Sequence, residues 1–417
     1  MRKVFIPQSC YHFIEYYAKI YYYSIFIEVN LWKREQIFFR CCIGYFFSGT
    51  ATLIIGAVIP HLMKEIGLNY IGAGGILTFF YIGNFCGSFL YTALSAKFGD
   101  KATITFMTFL SVLCFAALIT TPPLIVINTS VLILGLTKGS ITLFNNYYVN
   151  NMYENPAPKS SVLNAMFAVG AFISPFLLSS ILLLNLNWRY ILVLIAIVAF
   201  FVTANFFTAD KDTLKFYKMH AKNTTNTASK SQISFLYDKD FYINGLLLFF
   251  YLGFEYSING WFITYLKDTG IMSISLATTM VSVAWIAILI SRLFVAKLSQ
   301  KVSSKKITAF DSFGLVVCFF LLIATKNIFV IVISLFLLRL FMAPVFPLVY
   351  AVSKNSLQGS AFAMTVFTAL TSIGGILTPY IIGVISNNFS INTAILTLIF
   401  NAVIIFILSF LSYKKSY

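Results

Sequence analysis

The chain has 417 residues, 59% of them hydrophobic and only 10% charged, against about a quarter charged in an ordinary soluble domain. Lys and Arg outnumber Asp and Glu by 29 to 13, for a formal net charge of +16. This composition excludes a water-soluble globule. The basic surplus belongs in loops facing anionic lipid headgroups and calls for no nucleic acid.

Residues 1–37 are crowded with Tyr11, Tyr16, Tyr17, Tyr21, Tyr22 and Tyr23, and are interrupted by His12, Glu15, Lys19 and Glu28. They lack the clean apolar centre and small-residue cleavage site of a signal peptide. We read them as an N-terminal cytoplasmic or interfacial segment, since aromatic residues collect at headgroup depth.

Twelve apolar runs follow, each of roughly 20 residues or more and so able to cross a ~30 Å hydrocarbon layer. They lie near 38–61, 71–93, 103–121, 125–148, 161–185, 189–207, 242–264, 274–296, 307–325, 327–352, 361–385 and 392–412. We number them as spans 1 to 12. Unbroken apolar runs of this length are helices, because barrel strands alternate in ~10-residue segments. The expectation is an all-α membrane protein with twelve transmembrane helices.

Residues 208–240 break the pattern with Asp210, Lys211, Asp212, Lys215, Lys218, His220, Lys222, Lys230, Asp238, Lys239 and Asp240. So many charges cannot lie in hydrocarbon, which makes this stretch an aqueous linker between residues 38–207 and 241–413, with 414–417 as a tail. The flanking halves are related. Gly49 matches Gly253, Gly56 matches Gly260, Gly170 matches Gly374 and Pro175 matches Pro379, all at one offset of 204. At the same offset Leu94, Ser95, Lys97 and Lys101 match Leu298, Ser299, Lys301 and Lys305. A gapless offset of this kind marks two six-helix pseudo-repeats, one of the plans on which secondary transporters are built.

Of the 29 basic residues, 21 fall at one end of the spans, and Lys64, Arg189, Lys267 and Lys326 at the other. The lysine-rich end is expected to be cytoplasmic, with both termini there, as in a bacterial inner membrane. Arg40, Lys138, Arg292 and Arg339 lie within spans. The six cysteines show no metal-ligand spacing and the three histidines join no nucleophile–base pattern, so neither a metal, a cofactor nor an enzyme is expected. An ATP-driven pump is disfavoured because the linker holds no Gly-rich phosphate loop.

Between spans 2 and 3 runs Gly87-Ser-Phe-Leu-Tyr-Thr-Ala-Leu-Ser-Ala-Lys-Phe-Gly-Asp-Lys101, echoed by Leu298-Ser-Gln-Lys-Val-Ser-Ser-Lys305. This resembles the span 2–3 signature of the major facilitator superfamily, although Ala96 and Gln300 stand at its acidic position. Further pieces are Gly135-Leu-Thr-Lys-Gly139 with Asn146, Leu163 to Gly170 with Pro175, and Gly253-Phe-Glu-Tyr256 with Trp261. Trp285, Ser291-Arg292-Leu293, Ala343-Pro-Val-Phe-Pro347 and Ser372-Ile-Gly-Gly375 with Pro379 complete them. In this order they resemble the fucose–proton symporter-like branch. The acids that this branch often carries in spans 1 and 4 are missing, with Thr142 at the span 4 position, so its proton-coupling residues are not carried over.

The resemblance implies that spans 1, 4, 7 and 10 surround a central cavity. Lys138, Glu255 and Arg339 lie in three of these, each on the order of 13 Å from the nearer membrane surface. Charges at that depth face water or a partner. Glu255 is either the proton-coupling group or a structural neutraliser of the cations. Asn259, one turn beyond it, can reach a substrate hydroxyl, as can Asn146. Trp261 is either a membrane-interface residue or a stacking platform for a sugar. Lys97, Lys101, Lys301 and Arg292 are candidate gating residues at the lysine-rich end, and Pro344 and Pro347 candidate bending points in span 10. The expected function is secondary transport of a sugar or organic anion by alternating access in a monomer, with a proton as the candidate coupling ion. A non-transporting receptor or a lipid scramblase of the same fold is the alternative.

Overall fold

The computed structural model describes residues 8–153, 157–210, 234–299, 301–353 and 361–414. Its long elements are all α-helices, as hydrocarbon requires of a chain whose backbone N–H and C=O groups must be satisfied within each segment. Twelve are long and apolar enough to cross a membrane: Trp32–Ile66, Tyr70–Phe98, Asp100–Ile119, Leu124–Val149, Pro158–Leu183, Arg189–Phe207, Lys239–Asp268, Ile274–Arg292, Ser304–Ala324, Ile328–Val352, Val366–Asn388 and Ile391–Lys414. They follow the sequence-derived spans one for one and run further at several ends, where polar residues continue the helix beyond the apolar stretch. This is an integral multi-pass membrane protein.

Span 1 is the end of a helix that starts at Gln8 and continues unbroken to Ile66, so the Tyr-rich stretch is continuous with it. Residues 211–233 of the expected linker lie outside the described residues. Beyond them a single turn, Ser234–Tyr237, leads to Asp238, whose carboxylate caps span 7 by accepting from the Asp240 N–H.

The repeat reappears in the packing. Span 1 lies on span 5 as span 7 lies on span 11, and span 3 on span 6 as span 9 on span 12. Gly49 meets the Phe167 carbonyl and Gly253 meets Gly374 and Thr378, so the matched glycines occupy corresponding seams where a Cβ would overlap the facing helix. The halves touch each other chiefly through spans 2 and 11, 5 and 8, and 1 and 7.

Those contacts gather toward the end opposite the lysines. Every residue of 47–60 in span 1 and of 257–266 in span 7 is buried. There a Cβ on Gly56 would overlap the Asn259 carbonyl, which is why the two central helices can touch only through a glycine. Ser179 of span 5 meets Thr279 and Ser275 of span 8 at 2.6 and 2.9 Å, and the Tyr70 hydroxyl donates to Asp268 at 2.8 Å. Toward the lysine-rich end, Asn146 of span 4 and Phe346 and Pro347 of span 10 are exposed. Among the described residues, then, the halves are packed together at one end, and these three residues near the other end are exposed.

Candidate functional site

Span 10 is where the local sequence most shapes the centre. It is two helices, Ile328–Met342 and Val345–Val352, parted at Ala343 and Pro344. Pro344 has no N–H to give Leu340, and its ring cannot follow that carbonyl in a straight helix. The Leu340 carbonyl instead accepts from the Ser291 hydroxyl of span 8 at 2.6 Å, and that of Met342 from the Tyr251 hydroxyl of span 7 at 3.0 Å. The break is therefore stitched to both neighbouring spans. Arg339 stands in the last turn before it, and Pro347 in the first turn after it.

Arg339 is fully buried. Its Nη2 donates to the Asn259 side-chain oxygen at 2.8 Å, and its guanidinium lies 5.7 Å from the Trp285 ring centre. Its Nε and Nη1 are buried without a hydrogen-bond partner, as are Nη1 of Arg292 and Nε1 of Trp285. Tyr251, Glu255 and Asn259 recur every fourth residue on one stripe of span 7. Glu255 is only partly buried, and Arg339, Arg292 and Lys138 all act on its carboxylate across space. None of the three is within ion-pair distance of it.

Lys138 reaches the same centre from span 4. Its ammonium is held among three rings, Phe80 at 5.5 Å, Tyr256 at 5.8 Å and Phe167 at 5.9 Å. Phe167 in turn lies 5.8 Å from Trp285, and Tyr256 stacks on Tyr81 at 4.0 Å. Cation–π contacts of this kind contribute roughly 0.5–2 kcal/mol each. They hold an ammonium in a mostly apolar setting without neutralising it. The series Lys138, Phe167, Trp285, Arg339 runs from one half of the protein to the other.

The structure thus gathers Lys138, Glu255, Asn259 and Arg339, and adds Arg292 to them. Read from the sequence as a gating residue near the lysine-rich end, Arg292 is turned inward, with Ser291 beside it docked on span 10. Asn146 lies apart, exposed and accepting from the Tyr45 hydroxyl at 3.0 Å. Trp261 is neither a membrane-interface residue nor an open platform. It is fully buried at the closed end, where its Nε1 donates to the Pro379 carbonyl at 2.8 Å and Tyr70 packs on it. The reason is depth: the closed seam, not the lipid boundary, occupies that level of span 7. Asn259 has its side-chain oxygen engaged by Arg339.

The candidate lysine gate is not engaged across the halves. Lys97 lies over Phe98 and Lys101 over Phe207, both within the first half, and Lys301 is exposed. The acid of that loop, Asp100, accepts from the Tyr91 and Tyr148 hydroxyls at 2.7 and 2.9 Å, tying spans 2, 3 and 4 together. Tyr81, Tyr251, Phe167 and Trp285 were not picked out as site residues from the sequence. With 45 Phe and 24 Tyr in the chain, nothing local singles out the Phe and Tyr residues, and Trp285 entered only as a piece of the family resemblance.

A two-half helical bundle, sealed at one end around a charged centre, defines a membrane transporter. The profile of the Major Facilitator Superfamily matches residues 41–352. The glucose/mannose transporter GlcP of Bacillus subtilis (strain 168) is 22% identical over 350 residues, covering 82% of this chain and 86% of that protein. The nucleoside transporter NupG superposes with a TM-score of 0.70 at 13% identity, over 92% of this chain and 99% of that one. FucP in its outward conformation superposes with a TM-score of 0.60 at 18% identity, over 90% and 98%. The chain belongs to the Major Facilitator Superfamily. It is built as a secondary transporter and not as an enzyme.

Proposed function

We propose that the protein carries a sugar-sized polar solute through the central site between spans 4, 7, 8 and 10 by alternating access, as a monomer in a bacterial inner membrane. The lysine-rich end faces the cytoplasm, which makes the arrangement described above the inward-facing one. One observation carries this reading. Among the described residues the two halves meet chiefly through narrow glycine and hydroxyl contacts toward one end, and the buried charges lie where that seam ends. Rocking the halves about the centre would break those contacts and bring the lysine-rich ends together. GlcP, a glucose/mannose transporter by name, supports a sugar-sized solute.

Glu255 is the proton site in this reading. It is the acidic residue of the central cluster, it is only partly buried, and cations act on it from spans 4, 8 and 10. A substrate that engages those cations takes them from the carboxylate, which couples solute binding to the charge on Glu255. In proteoliposomes, Glu255→Gln should retain solute exchange at zero gradient while losing accumulation driven by an imposed pH gradient. Accumulation by the Gln variant equal to that of the parent would remove Glu255 from coupling. Failure of the parent protein to move any member of a sugar, sugar-acid and nucleoside panel would speak for the receptor or scramblase reading.

A further inference from the structure

We propose that the solute is an anion: a sugar or similar polyol carrying a carboxylate or phosphate, gripped by Arg339 and Arg292 with Lys138 supplying a further positive charge. This rests on the centre being the transport site, and it adds the class of substrate. Lys138, Arg292 and Arg339 face one carboxylate, Glu255, so two positive charges have no protein counterpart in the cluster. The deepest of these cations, Arg339, is fully buried. Burial of cations is tolerated where an anion completes them.

The hydrogen-bonding groups left open in the cluster are of one kind. Arg339 Nε and Nη1, Arg292 Nη1 and Trp285 Nε1 are all donors. A sugar hydroxyl both gives and takes, and would be matched by a mixture of donors and acceptors. A carboxylate or phosphate only accepts, and charged donors suit it best. A neutral sugar lacks the partners expected for it: Trp261 is fully buried under Tyr70, so its ring offers no open face, and the Asn259 oxygen is taken by Arg339. A purely structural role for Arg339, bridging spans 7 and 10 through Asn259, accounts for one of its three nitrogens and leaves two unexplained.

The test uses the purified full-length protein with glucose, glucuronate and glucose 6-phosphate as probes, chloride keeping the ionic strength equal. Thermal unfolding should be delayed by glucuronate or glucose 6-phosphate and much less by glucose, and which acid acts tells carboxylate from phosphate. Arg339→Gln keeps an amide to serve Asn259 and removes a buried charge, so it should fold; its apparent affinity for the active acid should fall about tenfold or more, as for loss of a charged hydrogen bond. Arg292→Gln should weaken the same acid. Glucose stabilising at least as well as both acids, no response to either acid, or an unchanged acid response in Arg339→Gln each overturns the proposal. Counterflow in proteoliposomes separates the two readings. Glucose uptake that ignores Arg339→Gln, with neither acid taken up, sinks the anion class and leaves transport standing. Acid-induced stabilisation without uptake of any probe leaves the anion site and removes transport.

Discussion

Arg339 shows how a single residue can be retained against stability. A cation at mid-membrane depth costs about 2.5–3.5 kcal/mol on insertion scales. One hydrogen bond to Asn259 and one face on Trp285 return only part of that. Arg339→Gln should therefore melt at or slightly above the parent temperature in the absence of solute while losing activity, the usual trade between a stable site and a working one. A markedly lower melting temperature would mean that the guanidinium is a structural tie. Trp261→Phe should behave oppositely. It loses one buried hydrogen bond to Pro379, which removes about 1 kcal/mol of stability, with little effect on solute affinity. The difference between these two residues was not legible in the sequence. Both are large side chains in central helices, and only the path of the closed seam decides that Trp261 ends on the Pro379 carbonyl while Arg339 keeps two open donors. Lys138, Glu255 and Arg339 could be picked out because charge is so rare in these spans that each one is conspicuous.

At the scale of elements, spans and repeats were readable because their signals are long and redundant. Twenty apolar residues cannot be a short core strand, and one offset joins glycines, prolines and lysines across the halves. The break in span 10 was readable in part. Pro344 and Pro347 announced a bend, but not that Ser291 and Tyr251 would bind the carbonyls exposed by it. Partners for a freed carbonyl come from other helices, and sequence spacing says nothing of them. Ser291→Ala and Tyr251→Phe should each cost about 1 kcal/mol, in the range measured for hydrogen bonds between membrane helices, and lower the unfolding temperature. Pro344→Ala restores the missing N–H and lets span 10 run straight. It should hold or raise stability while slowing turnover, because Arg339 sits in the last turn before the break and would be re-aimed. Turnover equal to the parent's would show that the break is tolerated without being used.

For the whole molecule, the question is whether the closed end has to open. Ser179 and Thr279 come from different halves, their hydroxyl oxygens are 2.6 Å apart, and they lie on the seam formed by spans 5 and 8. Hydroxyls in contact place their Cβ atoms within the few ångströms that a disulfide needs. The double variant Ser179→Cys and Thr279→Cys should therefore crosslink on mild oxidation. If the halves rock about the central charges, the crosslinked protein is held with this end shut and stops transporting, and reduction brings transport back. Each single variant should be indifferent to the oxidant, which removes effects of native cysteines such as the exposed Cys86. A solute that binds from the open end should still stabilise the crosslinked form, because the charged centre remains accessible from the lysine-rich side. Full transport by a crosslinked population would mean that this seam is not the outer gate, and the alternating movement would then have to be sought between other helix pairs.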